Sequence, residues 1–348
     1  MASLTLFQID EKIHQFEGDL ANAAPGSSKE WLASQHDILS DLYFMKSLLT
    51  RDPVDGESAE THGRGAIELG HAAASHITLP GEESGKWWVF QGSRLEKQFL
   101  RFKGTDDLMD AAIDAFEKAI QQLPEESPLL REAMSNQANC FSARFDAKGN
   151  VTDVDRAIEI STTLTAAGTS EANMSSIHNN MAINYLSRFE KLRNLDDLEQ
   201  ANRWAEATVE ETGDEDPNLP TRLLNLANCR CMLFEEDDEI EHVNKALQEL
   251  EKAATLSRAL NLACLPQVLS KRARAMYLRY IEQKDAGDMQ QAIALAKEAL
   301  AAAPSDQVEN TRNLIVLQLA SFLSAVDENG RPFEFFQEAI LRGEVPLG

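Results

Sequence analysis

"MSSIHNNMAINYLSRFEKLRNLDDLEQA" (residues 174–201) contains two features whose recurrence decides the fold. One is Phe189, an aromatic that follows arginine; the other is Ala201, which closes a [DH]-[LVM]-x-x-A pattern. Outward from this stretch the aromatic returns as Phe102, Phe145, Phe234 and Tyr280, at spacings of 43, 44, 45 and 46 along the chain. The alanine returns as Ala111, Ala157, Ala246 and Ala292, at spacings of 46, 44, 45 and 46. Two independent markers with nearly the same period define an internal repeat of about 45 residues.

Each copy reads as a pair of helices. Ala138, Ala182, Ala227 and Ala273 stand seven residues before the aromatic, two helical turns away on the same face. After the marker alanine, positions +4 and +8 are small or apolar, as in Ala205 and Val209 or Ala296 and Leu300, a stripe suited to close helix contact. Short polar turns ("DAKGN" at 146–150, "QKDAG" at 283–287) separate paired helices, and prolines (Pro124, Pro128, Pro217, Pro220, Pro266, Pro304) mark the joints between pairs. No period-2 alternation competes over 95–325, so the expected class is all-α, a solenoid in which each pair hides its apolar face only against its neighbours. The chain then divides into divergent N-terminal helical pairs or a cap (1–94), five repeats (95–325) and an irregular C-terminal capping helix (326–348). In the first segment Ser27 and Glu30 have capping-box spacing ahead of an amphipathic run, and a further helix is expected over about 57–77.

Composition narrows the partners. With 57 acidic and 33 basic residues the formal charge is −24, a field that repels phosphate backbones and anionic lipid, so neither nucleic acid nor a membrane surface is expected. The four cysteines are too few for a disulfide framework and read as reduced, buried thiols. The N-terminal residues lack a basic, signal-like start and no run approaches 18 apolar residues, which together suggest a soluble cytoplasmic protein.

The run "NLDDLEQANRWAEATVEETGDEDPNLPTRLLNLANCRCMLF" (194–234), with "TDVDRAIEIS" and "GDMQQAIALAKEALAAAP", resembles the tetratricopeptide-like arrays of filamentous fungi. The resemblance covers about 95–325 and departs from the pattern in "LSKRARAMYLRY" and in the acidic turn "EEDDEIEH". It implies a right-handed superhelical solenoid whose groove holds a peptide or protein, with no cofactor. In that family the repeats often precede a caspase-like CHAT protease domain. No downstream His and Cys pair of the kind such a protease needs follows here, so the chain would serve as a scaffold, adaptor or regulatory module.

Three groups of residues are candidate sites. Nine residues before the aromatic stand Asn136, Asn180 and Asn225, with Lys271 breaking the row and Asn313 resuming it when the sixth pair is aligned through Phe322. Amides there can serve a peptide backbone in the groove, or bond to the next repeat and hold the stack. Trp87, Trp88 and Phe90 form the densest aromatic spot, either core or a ligand anchor. Asp106, Asp107 and Asp110 spell D-D-x-x-D, which in an all-helical enzyme could hold magnesium and a diphosphate. Set against the other copies, however, Asp107 aligns with Asp153, Asp197 and Asp288 as a helix-opening acid, which accounts for it without a metal. Arg101, Arg144, Arg188 and Arg279 precede the aromatics and are expected to bridge to those acids. His62, His71 and His76 lack metal-ligand spacing.

Overall fold

The computed structural model describes residues 4–74, 81–102, 106–167, 171–303 and 309–326, and every secondary-structure element among them is an α-helix. They fall into two compact units. The first holds α1 (Leu6–Ala21), α2 (Lys29–Thr50), α3 (Pro53–Ala74), α4 (Glu82–Phe102), α5 (Asp106–Gln122), α6 (Pro128–Lys148) and α7 (Val151–Ala167). The second holds α8 (Glu171–Leu192), α9 (Leu195–Glu210), α10 (Leu219–Asp237), α11 (Ile240–Ala259), α12 (Leu265–Gln283), α13 (Ala286–Ala302) and α14 (Glu309–Val326). No described helix is long and apolar enough to cross a membrane.

Helices pair as α2 with α3, α4 with α5, and α6 with α7 in the first unit, and as α8 with α9, α10 with α11, and α12 with α13 in the second. Within each unit the second helix of a pair lies against the first helix of the next, and first helices also touch one another, α4 on α6, α8 on α10, and α10 on α12. Among the described residues, five of the turns inside pairs share one backbone design. Arg51, Gly149, Arg193, Asp238 and Lys284 all take positive φ, and each donates its N–H to the carbonyl four residues back, on Ser47, Phe145, Phe189, Phe234 and Tyr280. A left-handed residue ends the helix by satisfying one of its last carbonyls, a job glycine does most cheaply but holds here only once.

Burial gives the repeat its register. Ala59, Ala112, Ala157, Ala201, Ala246 and Ala292 are all fully buried, one in each second helix. Ala111, the marker the sequence suggests, is exposed; the inward residue is Ala112, with Met109 and Phe116 beside it at 0 % exposure. Asp107 therefore is not the counterpart of Asp153: the D-[LVM]-x-x-A alignment there is one residue early. Facing Phe116 is Gly92, where a Cβ would sit 2.7 Å from the ring, so the small residue lets α4 and α5 approach.

The same frame reaches further toward the N-terminus than the markers indicate. In the α2–α3 pair, Arg51 is the left-handed stop, Asp55 follows four residues on at 6 % exposure, and Ala59 four after that at 0 %. The side chain that caps α2 is Ser28, accepting from the Trp31 N–H at 3.2 Å, rather than Ser27, which donates back to the Ala24 carbonyl. "KWWVFQG" lies inside α4. The residues from 327 onward are outside the described chain.

Candidate functional site

In the second unit α10 touches α8 on one side and α12 on the other. Its start is set by Pro220 in the first turn, and the N-cap residue Asn218 does not cap; its side chain donates to Asp216 Oδ1 at 3.0 Å. One turn in, Arg222 is 9 % exposed, with Nη1 donating to Thr212 Oγ1 and standing 3.5 Å from Asp216 Oδ2. Across from this turn α8 presents Ser176, Asn179 and Asn180, and with Asn218, Thr221 and Arg222 they line a cleft of about 240 Å³. All six are polar, and none is a carboxylate, thiol or imidazole. Such a lining offers donors and acceptors for a peptide group.

Amides tie this cleft to its neighbours. Asn225 Nδ2 donates to Asn179 Oδ1 at 3.1 Å, from one first helix to the next. The step is repeated with a different pair, Lys271 Nζ donating to Asn228 Oδ1 at 2.6 Å. Burial pulls Lys271 below the usual lysine range, with Arg274 adding to the effect. Asn180 lines the cleft, and Asn225 makes the bridge. Asn136 on α6 and Asn313 on α14 are half-buried on first helices.

The aromatic spot divides as well. Trp87 and Phe90 meet edge to face at 5.7 Å, with Phe90 45 % exposed. Trp88 points elsewhere, its ring 6.2 Å from that of His71 and 4.5 Å from Lys118 Nζ.

Of the D-D-x-x-D carboxylates, Asp110 is held by basic side chains of the next pair. Asp110 accepts from Arg144 Nη1 at 2.6 Å and lies 3.5 Å from Lys148 Nζ, and the Arg144 hydrogen bond holds it below the usual carboxylate range. Asp107 is exposed, and the Asp106 side chain lies outside the described residues. The repeat acids themselves are buried forks rather than caps: Asp153, Asp197 and Asp288 receive Arg144, Arg188 and Arg279 through two nitrogens each. Capping falls instead to Asn194 and Asp285, which accept from backbone N–H groups two residues on. Arg101 departs from the pattern and reaches Asp41 on α2 at 2.6 Å.

His62 meets His36 with Nδ1 atoms 2.9 Å apart, and burial lowers the pKa of both; His76 lies outside the described residues. Cys140, Cys229 and Cys231 are buried, which pushes their thiols up, to about 12 for Cys229 and Cys231. One cluster has no counterpart among the sequence candidates. Asp237, Glu239 and His242 bring ligand atoms within 4.8 Å of one another in the exposed α10–α11 turn. Its signal is the replacement, in this copy alone among the last four, of the arginine and aspartate of the fork by Leu233 and His242.

No protein-family model matches the chain, and no curated protein matches it in sequence. Solved structures do match. RapI in its apo form has 14% identity over 96% of this chain and 87% of its own, with a TM-score of 0.52. TTC0263, a thermophilic TPR protein of Thermus thermophilus, has 20% identity over 69% of this chain and 98% of its own, at 0.42. The human IFIT1 dimer with m7Gppp-AAAA has 13% identity over 97% of this chain and 73% of its own, at 0.45.

Proposed function

We propose that this chain, whose helix pairs stack like tetratricopeptide repeats, is a non-catalytic scaffold of the cytoplasm. In the second unit a peptide or protein segment would lie along the first helices, with its backbone amides in the cleft beside Asn180. The observation that carries the reading is that cleft: six polar side chains from α8, α10 and the turn before α10 surround open space where packed helices would ordinarily close with apolar contacts. Asn180 serves the ligand, and Asn225 with Lys271 keeps adjacent first helices in register around it. The charge of −24 favours a protein partner over a nucleic-acid backbone.

Peptide selection against the whole chain tests this. Asn180→Ala should weaken the selected peptide at least tenfold while the protein keeps its helical circular dichroism, since a buried backbone amide loses its hydrogen bond. Full retention of binding in a folded Asn180→Ala protein would overturn the reading.

A further inference from the structure

In the first unit α3, α4 and α5 enclose a second cavity, about 440 Å³ and largely apolar, with Trp88 in its wall. Two observations give it a chemistry. Lys118 Nζ rests 4.5 Å from the centre of the Trp88 ring, a cation on a π face, while also pairing with Asp114 at 2.6 Å on the exposed side of α5. Glu68 and Asp114 add carboxylates to the lining. A π face and two carboxylates in the lining favour a positive guest, and the overall charge of −24 draws one in.

We propose that this cavity receives the side chain of a lysine from a partner protein, with Lys118 as its internal stand-in. The incoming alkyl stem packs against the apolar wall, and its ammonium takes the Trp88 face. Lys118 swings outward with Asp114, both of them more than 40 % exposed. This site is separate from the cleft on α8 and α10, so either can fail without the other.

The opposite effects of two neighbours test it. The whole chain, ¹⁵N-labelled, is titrated with capped Gly-Lys-Gly and with capped Gly-norleucine-Gly, following the Trp88 indole signal. The lysine peptide should shift that signal saturably and the norleucine peptide should not. Lys118→Met should tighten lysine-peptide binding severalfold by removing the competitor. Lys245→Met, which removes an exposed charge in the other unit, should leave it unchanged. Trp88→Leu should abolish binding; if that variant does not fold, Ala111→Leu, at an exposed residue of the same wall, should block the cavity instead. Equal response to both peptides, no saturable shift in wild type and Lys118→Met, or an equal gain from Lys245→Met would each overturn the proposal.

Discussion

Arg188 and Asp197, nine residues apart on either side of the α8–α9 turn, are joined by two hydrogen bonds, Nη2 to Oδ1 at 2.6 Å and Nε to Oδ2 at 3.0 Å. The aspartate side chain is only 4 % exposed and the arginine 22 %, so the acid is the desolvated partner and the arginine shields it. Arg144 with Asp153 and Arg279 with Asp288 reproduce the geometry, and Lys46 with Asp55 gives a single-point version at 3.3 Å. Charge-assisted forks of this kind hold a turn at a defined angle, which is what stacking of successive pairs requires.

Arg188→Met should therefore cost about 2 kcal/mol, because it leaves a buried carboxylate without its counter-charge. The urea midpoint at neutral pH reads this. In the turn that lacks the fork, His242→Asp alone should destabilise, and Leu233→Arg added to it should recover most of the loss. A double-mutant cycle with no coupling would remove the fork as the reason for the pattern.

Gly92→Ala should destabilise by about 1–3 kcal/mol, since the new methyl meets the fully buried Phe116 ring and neither helix can retreat. Gly18→Ala, in α1 with open space around it, should stabilise by about 0.5–1 kcal/mol. Melting curves of the two variants should move in opposite directions.

Register in α5 separates two adjacent alanines. Ala112→Leu forces a branched side chain into a site with no exposure and should lower the melting temperature sharply, whereas Ala111→Leu, on the exposed side, should leave it nearly unchanged. Equal effects would restore the alignment that the sequence markers suggest.

Glu96 has its carboxyl pushed up to about 7 by burial. The folded chain then holds that proton more tightly than the unfolded chain. Its contribution to stability falls as pH rises from about 4.5 to 7 and is level above. Glu96→Gln should be more stable than the parent at pH 8, with the difference shrinking toward pH 5. A difference that stays constant across that window would show that burial does not raise this group.

Magnesium with a prenyl diphosphate should leave the melting temperature unchanged, because Asp110 is already held by Arg144 and Lys148. A rise that Asp110→Asn abolishes would reopen the enzyme reading.

Much of the array is legible without coordinates. Small residues at helical spacing, prolines at joints and an aromatic one turn before four of the stops are local requirements, and each repeats because each pair solves the same packing problem. The marker at Ala111 misleads because an offset of one residue leaves the local pattern plausible while rotating the buried face by about 100°. The α2–α3 pair is hidden because Ser47 stands where the aromatic would be and Lys46 where the arginine would be, substitutions that keep the stop at Arg51 and the charge opposite Asp55 but lose the letters.

What the sequence by itself determined is the repeated helix pair, since periodicity and turn chemistry depend on residues close together in the chain. Only the tertiary structure decided which side chains share a space. Asn179 and Asn225 are brought together from successive first helices, Trp88 is turned from its neighbour Trp87 toward Lys118, and Asp110 is claimed by an arginine of the next pair. Those juxtapositions follow from how one helix rotates and slides against another. That rotation is set by the summed fit of buried side chains and by loop lengths, quantities that no single stretch of sequence contains.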